Sequence, residues 1–227
     1  MKPRISVVIP CYNQAQYLPE AVESVLTQTL RPHEVIIVVD GSPDNSLAVA
    51  QSYEKYGVKV INQVNKGLAS ARNAAIMNMT GDYFMPLDAD DKMAPNCIEK
   101  ITKTIENNPN VDIVAPSFKE FEARDREIIL MEKPTIEDFK SGNRIGYFSA
   151  TKKEKLLEVG GYNPKMIWGY EDYDIWFDLL KRDSNLVTIP EVLILYRVKE
   201  DSMYTESVKH HDELMDQIRK NHPTLFQ

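Results

Sequence analysis

Three carboxylates, Asp88, Asp90 and Asp91, follow directly on an apolar run in the segment GDYFMPLDADDKM, residues 81–93. Two residues apart at the end of what reads as a strand, Asp88 and Asp90 form a short acidic loop able to offer oxygen to a hard divalent ion. Two protein carboxylates leave most of such an ion's shell to water and phosphate oxygens, so the chemistry would be that of a metal on a phosphorylated ligand. The same residues read equally as a solvated turn, one Asp capping a helix that begins near Pro95. A second acidic pair, Glu171 and Asp172, stands in GGYNPKMIWGYEDYDIW, residues 160–176, at an expected helix start beside Trp168, Tyr170 and Tyr173. Either the helix dipole simply stabilises these carboxylates, or one of them is a general base next to an aromatic platform on which a sugar ring can lie. Tyr12 and Asn13 in PCYN, with Asp40, Gly41 and Ser42 in DGSPDNS, offer an aromatic face and an acceptor suited to a nucleobase. They are also good turn chemistry.

These groups need a scaffold that brings them to one edge. Residues 5–9, 34–39, 58–62, 83–87 and 112–116 are near-continuous apolar runs of the kind found in a parallel sheet covered on both faces. Between them, 17–29, 45–57 and 70–81 read as helices, the last two ending on Gly57 and Gly81 where a C-cap is expected. Strand and helix in alternation imply right-handed crossovers and an open doubly wound α/β sheet, whose ligands bind beyond the carboxyl ends of the strands. PCYN, DGSPDNS, NQVNKG and DADD all fall at such ends. After residue 117 the alternation loosens into an expected hairpin at 118–131, helices at 152–159 and 172–182, short strands at 186–189 and 192–196, and a polar helix at 206–222.

Composition narrows the function. With 34 acidic against 27 basic residues the formal charge is -7, which argues against a general binder of nucleic acid or anionic membrane. Two cysteines, Cys11 and Cys97, are too few for a disulfide framework and point to a reducing compartment. The first strand is too short for a signal-peptide core, and no apolar segment approaches the roughly 20 residues of a membrane span. A soluble, cytoplasmic protein is expected, with peripheral membrane contact left open. The first turn has no GxGxxG, which counts against an NAD or FAD site.

Taken together and in order, ISVVIPCYNQAQYLPEAVESVLTQT, EVIIVVDGSPDNS, NKGLASARNAA, GDYFMPLDADD and GGYNPKMIWGYEDYDIW resemble the family 2 glycosyltransferases, inverting enzymes of the GT-A fold. The resemblance covers about residues 4–182, and its joint pattern is far more specific than any piece. It implies one GT-A domain over 1–227, a mostly parallel sheet with helices on both faces and a small antiparallel addition. Residues 1–117 would form the nucleotide-sugar half and 118–227 the acceptor half. Pro10, Tyr12, Asn13 and Asp40 match the base pocket, and Arg72 the region near base and phosphates. Asp88 matches the acid near the ribose, Ala89 lies in the same donor loop, and Asp90, with Asp88, matches the site of Mn²⁺ or Mg²⁺. Asp172 matches the catalytic base with Glu171 beside it, and Trp168 and Tyr170 fall in the acceptor region. The implied reaction moves a sugar from a nucleotide sugar, expected to be a UDP-sugar, to a hydroxyl of a glycan or glycolipid acceptor.

Two departures stand out. Val39 takes the place of a second acid that family members often carry before DGS, so base recognition should rest on Asp40. In YRVKEDS, Lys199 stands where many members have a His after a Tyr-Arg pair; it is either a solvated loop lysine or a charge that meets the diphosphate. A non-catalytic nucleotide-sugar or glycan-binding module of the same fold is the principal alternative. A glycoside hydrolase would need two carboxylates but neither a base pocket nor a metal.

Overall fold

β-branched residues dominate the first strands because both faces of those strands are covered. In the computed structural model of the chain, which describes residues 2–199 and 203–226, β1 (Ile5–Cys11) and β2 (Glu34–Asp40) are buried along nearly their whole length. With β3 (Lys59–Gln63) and β4 (Tyr83–Pro86) they make the all-parallel run β3-β2-β1-β4. The crossovers are α1 (Leu18–Leu26), α2 (Ser46–Ser52) with a 3-10 turn at Glu54–Tyr56, and α3 (Leu68–Asn78). Alternate residues of β1 enter opposite cores. Val7 and Ile9 join Val22 and Val25 of α1 and Ile101 of α4 (Cys97–Asn107), while Val8 joins Ala75 and Ile76 of α3. Each such side chain contributes about 1.5–3 kcal/mol on burial, and a one-residue slip would exchange the two cores, so the register is fixed.

The rest of the chain extends this sheet. In order it supplies β5 (Lys92–Met93), β6 (Ile113–Glu122), β7 (Arg126–Ile128), α5 (Ile136–Lys140), β8 (Ala150–Lys152), α6 (Lys153–Glu158), α7 (Glu171–Leu180), β9 (Leu186–Val198), α8 (Met203–Lys209) and α9 (His211–Asn221). The nine-stranded sheet runs β3-β2-β1-β4-β8-β6-β9-β5, with β7 paired to β6. β8 is antiparallel to both β4 and β6, so β6 and its parallel neighbour β9 regain the direction of the first four strands. Only the short β5, β7 and β8 run against it, so the sheet is mostly parallel with a small antiparallel addition, as expected.

Several local expectations change. Most of the outgoing arm of the expected 118–131 hairpin is the continuation of β6, and its return is limited to β7. The two short strands at 186–189 and 192–196 are one strand, β9, bulged where Pro190 and Glu191 stand exposed between paired residues, since Pro190 has no N–H for the ladder. The polar helix divides at His210 into α8 and α9. Gly81 is not a C-cap, because α3 ends at Asn78; a Cβ there would stand 2.4 Å from Ser6 Oγ, so the glycine permits close approach of its segment to the start of β1.

Residues 87–91 alone join β4 to β5, although β8, β6 and β9 lie between them in the sheet. A flat sheet would place β4 and β5 about 19 Å apart at ~4.8 Å per step. The connection is instead folded, with the Asp91 N–H donating to the Asp88 carbonyl at 3.0 Å. The sheet therefore curls back on itself, and the DADD loop lies across the curl.

Candidate active site

At the ends of β1 and β2 two loops are stitched together. Asn13 takes a left-handed backbone (φ 55°) and its N–H donates to Ser42 Oγ, while the Ala15 N–H donates to Asp44. Gly41 is required twice over, with φ 64° and a Cβ position 2.4 Å from the Asn65 backbone nitrogen. Asp40 is 3 % exposed and accepts from Gln63 Nε2 (2.7 Å), the Lys66 N–H (2.9 Å) and the Gly67 N–H (2.8 Å). It thereby fixes the NQVNKG turn that launches α3. A carboxylate has about four acceptor positions, so Asp40 retains capacity for one further donor. Val39 is core, as expected.

The DADD loop is held from beneath by its last member. Asp91 is buried and accepts from Tyr147 Oη (2.5 Å) and from the Arg197 N–H of β9 (2.7 Å), while Tyr147 Oη in turn accepts the Asp88 N–H (2.9 Å). Burial first, then Asp90 and Asp88, push the Asp91 carboxyl well above the usual range. Arg197 adds a bond from Nε to the Asp90 carbonyl and ion pairs with Glu20 and Glu122.

Arg72, on α3, is fully buried beneath the cleft. Its guanidinium donates to Asp88 Oδ1 at 3.0 Å and to Glu171 Oε1 at 2.5 Å, and lies over the rings of Tyr147 (4.8 Å) and Tyr162 (5.4 Å). Burial opposes its charge, but Asp88 and then Glu171 outweigh this and raise its pKa. One cation thus ties the DADD loop to the start of α7. Asp88 nevertheless rises to about 6, because burial, aided by Asp90 and Glu171, outweighs the pull of Arg72.

Tyr170, at the N-cap of α7, is left-handed (φ 61°) after Gly169, which turns the chain sharply before Glu171 and Asp172. The two acids diverge. Glu171 packs onto Arg72, whereas Asp172 is only partly buried and accepts from Asn143 Nδ2 at 2.9 Å. Desolvation of the carboxyl by burial, then the neighbouring Glu171, push Asp172 up to about 7; Arg72 and Asn143 work in the other direction. A carboxylate that gains its proton near neutrality is suited to general-base work.

Two cavities meet here. One, of about 590 Å³, is lined by Pro10, Tyr12, Asp40, Asp88, Ala89 and Asp90, with Tyr196, Arg197 and Lys199 of the β9 end opposite. The other, of about 500 Å³, is lined by Arg72, Asp88, Asn143, Tyr170, Glu171 and Asp172 together with His211 and Arg219 near the C-terminus. Asp88, Tyr196 and Leu68 line both. Three residues singled out from sequence sit differently. Asn13 does not line either cavity, Arg72 is in the second rather than the first, and Trp168 stacks on His210 (4.4 Å between rings) outside both. Sequence reading missed Gln63, Asn143, Tyr147 and Tyr162, which reach the site from irregular segments or the far end of β3 and leave no periodic signal.

Asp90 and Asp88 form a hard-oxygen donor set fit for Mn²⁺ or Mg²⁺ beside a diphosphate. Each has one oxygen engaged, Asp90 Oδ2 by Lys199 Nζ at 2.5 Å and Asp88 by Arg72. The other oxygen of each has no hydrogen bond among the described residues. An ion could be held there with phosphate and water completing its shell. The last residues of YRVKEDS, 200–202, lie outside the described residues.

The sequence pattern of Glycosyl transferase family 2 matches residues 6–174. An uncharacterized glycosyltransferase of Methanocaldococcus jannaschii is 32 % identical over 223 residues, covering 92 % of this chain and 75 % of its own length. The uncharacterized glycosyltransferase EpsJ of Bacillus subtilis is 32 % identical over 235 residues, 99 % of this chain and 63 % of its own. Among solved structures, S. aureus TarS 1–349 in complex with UDP-GlcNAc superposes with a TM-score of 0.80 at 17 % identity over 96 % of this chain and 66 % of that one. The mannosyltransferase PcManGT of Pyrobaculum calidifontis, in complex with GDP-Man and Mn2+, gives 0.74 at 18 % identity over 97 % and 65 %. The chain thus spans about two thirds of those solved chains.

Proposed function

The chain belongs to glycosyl transferase family 2, and on that premise we propose that it is an inverting glycosyltransferase that moves a sugar from a UDP-sugar to a hydroxyl of a glycan or glycolipid. The observation that carries this reading is the meeting of the two cavities at Asp88. A donor in the first would present its anomeric carbon to an acceptor in the second, with Asp172 on the acceptor's side.

In this reading Tyr12 and Pro10 flank the base, and the remaining acceptor capacity of Asp40 takes a base N–H. Asp88, kept in place by Arg72 and by its own N–H on Tyr147, faces the ribose. Asp172, oriented by Asn143, accepts the acceptor hydroxyl's proton as that oxygen attacks from the face opposite the leaving diphosphate. Glu171 stays with Arg72 and keeps the start of α7 in register with the donor loop. A divalent ion on Asp90 and Asp88 would supply charge neutralisation at the departing diphosphate. Residues 118–227 supply most of the acceptor cavity, with Tyr170 on its wall and Trp168 at its margin. No described helix is long and apolar enough to cross a membrane.

The test is a thermal-shift panel of UDP-, GDP- and dTDP-sugars with and without Mn²⁺, followed by nucleotide release with candidate acceptors. Stabilisation by UDP-sugars is expected. Asp172→Asn should retain donor binding and lose transfer by roughly 10²–10⁴-fold. Absence of any donor binding, or transfer undiminished in the Asn variant, would sink the proposal.

A further inference from the structure

Lys199 and Asp90 form an ion pair inside the donor cavity, at 2.5 Å and with each side chain 17 % exposed. The ammonium also lies 4.7 Å over the ring of Tyr17 and 3.4 Å from Gln14 Oε1, so its approach to Asp90 is walled rather than incidental. Two residues earlier, Arg197 is anchored to the Asp90 carbonyl, Asp91, Glu20 and Glu122, which delivers the β9 end to this place. The charged groups lining the cavity among the described residues are Asp40, Asp88, Asp90, Glu206, Arg197 and Lys199. Arg197 is committed to its anchors, and Arg72 below to Asp88 and Glu171. Of these cations, Lys199 is the one whose charge is paired to the side chain of Asp90. An ammonium on one oxygen of Asp90 and a divalent ion on the other would lie within a few ångströms of each other and repel strongly.

We propose that Lys199 is a tethered counter-ion that holds Asp90 while the donor is absent and passes to the donor's diphosphate when it arrives, so that the divalent ion enters together with the nucleotide and not before it. The flexible four-carbon stem allows the exchange. Asp90 is thereby neutralised in the resting enzyme, and the diphosphate gains a protein cation in addition to the ion. The inference rests on the nucleotide-diphosphate donor proposed above.

Mn²⁺ binding, followed by the electron paramagnetic resonance signal of the free ion, tests this without turnover. In the wild type, Mn²⁺ alone should bind at least about tenfold more weakly than Mn²⁺ in the presence of UDP. In Lys199→Gln, Mn²⁺ alone should bind about tenfold more tightly than to the wild type, while UDP measured in EDTA should bind about tenfold more weakly. Lys199→Arg, which keeps the charge, should preserve the wild-type coupling and guards against a merely structural effect. If Mn²⁺ alone binds the wild type and the Gln variant equally, or UDP in EDTA does, the exchange is overturned. A wild type that binds no nucleoside diphosphate under any of these conditions overturns the donor reading and the exchange with it; wild-type binding with an unchanged variant overturns the exchange alone.

Discussion

Replacing Arg72 by Met should be among the most damaging single substitutions at the site. The side chain is 1 % exposed and sits between Glu171, 6 % exposed, and Asp88, 28 % exposed. Methionine roughly fills the volume but leaves two carboxylates facing each other without their cation. Removing one partner of a buried ion pair costs about 3–5 kcal/mol, and the partial exposure of Asp88 places the expectation toward the lower end. With a urea slope of roughly 2–3 kcal/mol/M for a chain of this size, the midpoint should fall by about 1–2 M. The loss should also depend on pH. Asp88 already rises to about 6 with Arg72 present, and losing the cation can only raise it further. The folded variant then holds a proton that the unfolded chain releases near pH 4, so its stability relative to wild type falls as pH rises from about 5 to 8. Urea titrations at pH 5.5 and 8 measure both effects. A loss below about 1 kcal/mol, or one equal at the two pH values, would show that Arg72 does not hold the two carboxylates as described.

Three other outcomes are expected. The rate of transfer at low acceptor should climb on a rising limb near pH 7, the ionisation of Asp172, and Asn143→Ala, which removes a donor to the ionised form, should move that limb up by about half a unit to one unit; a pH–rate series reads this directly. Tyr147→Phe loses both the acceptor of the Asp88 N–H and the donor to Asp91, and calorimetry should find it destabilised by roughly 1–3 kcal/mol. Gly41→Ala brings a Cβ to 2.4 Å from the Asn65 nitrogen at positive φ, so a loss of about 1–3 kcal/mol is expected together with weaker donor binding in a thermal-shift titration.

The doubly wound half of the fold was legible because strands such as ISVVIPC and EVIIVVD are buried on both faces and announce themselves as continuous apolar runs. β8 and β5, of three and two residues, carry too little sequence to show a period, yet they decide the order of the sheet. The site divides in the same way. Asp40, Asp88, Asp90 and Asp172 stood out because polar groups crowd the ends of readable strands and of one readable helix. Many of the partners that give them their properties are remote in sequence: Gln63 is 23 residues from Asp40, Asn143 is 29 from Asp172 and Arg197 is 107 from Asp90, whose carbonyl it bonds. Such pairs are created by topology, and no local pattern encodes them. Asp91, unassigned from sequence, proves to be the buried tie of the loop.

The passage of residues 87–91 across the curled sheet also says where this protein can change length. Loops that leave and re-enter on one side, such as 123–125 between β6 and β7, can take an insertion that simply bulges into solvent. The DADD segment is a chord whose ends are fixed by strands on opposite limbs of the arc. An added or deleted residue there would have to be absorbed by the curvature of the sheet, strand by strand through β8, β6 and β9. Diversification of the cavity beside this segment is thus confined to exchanging side chains along a stretch of set span.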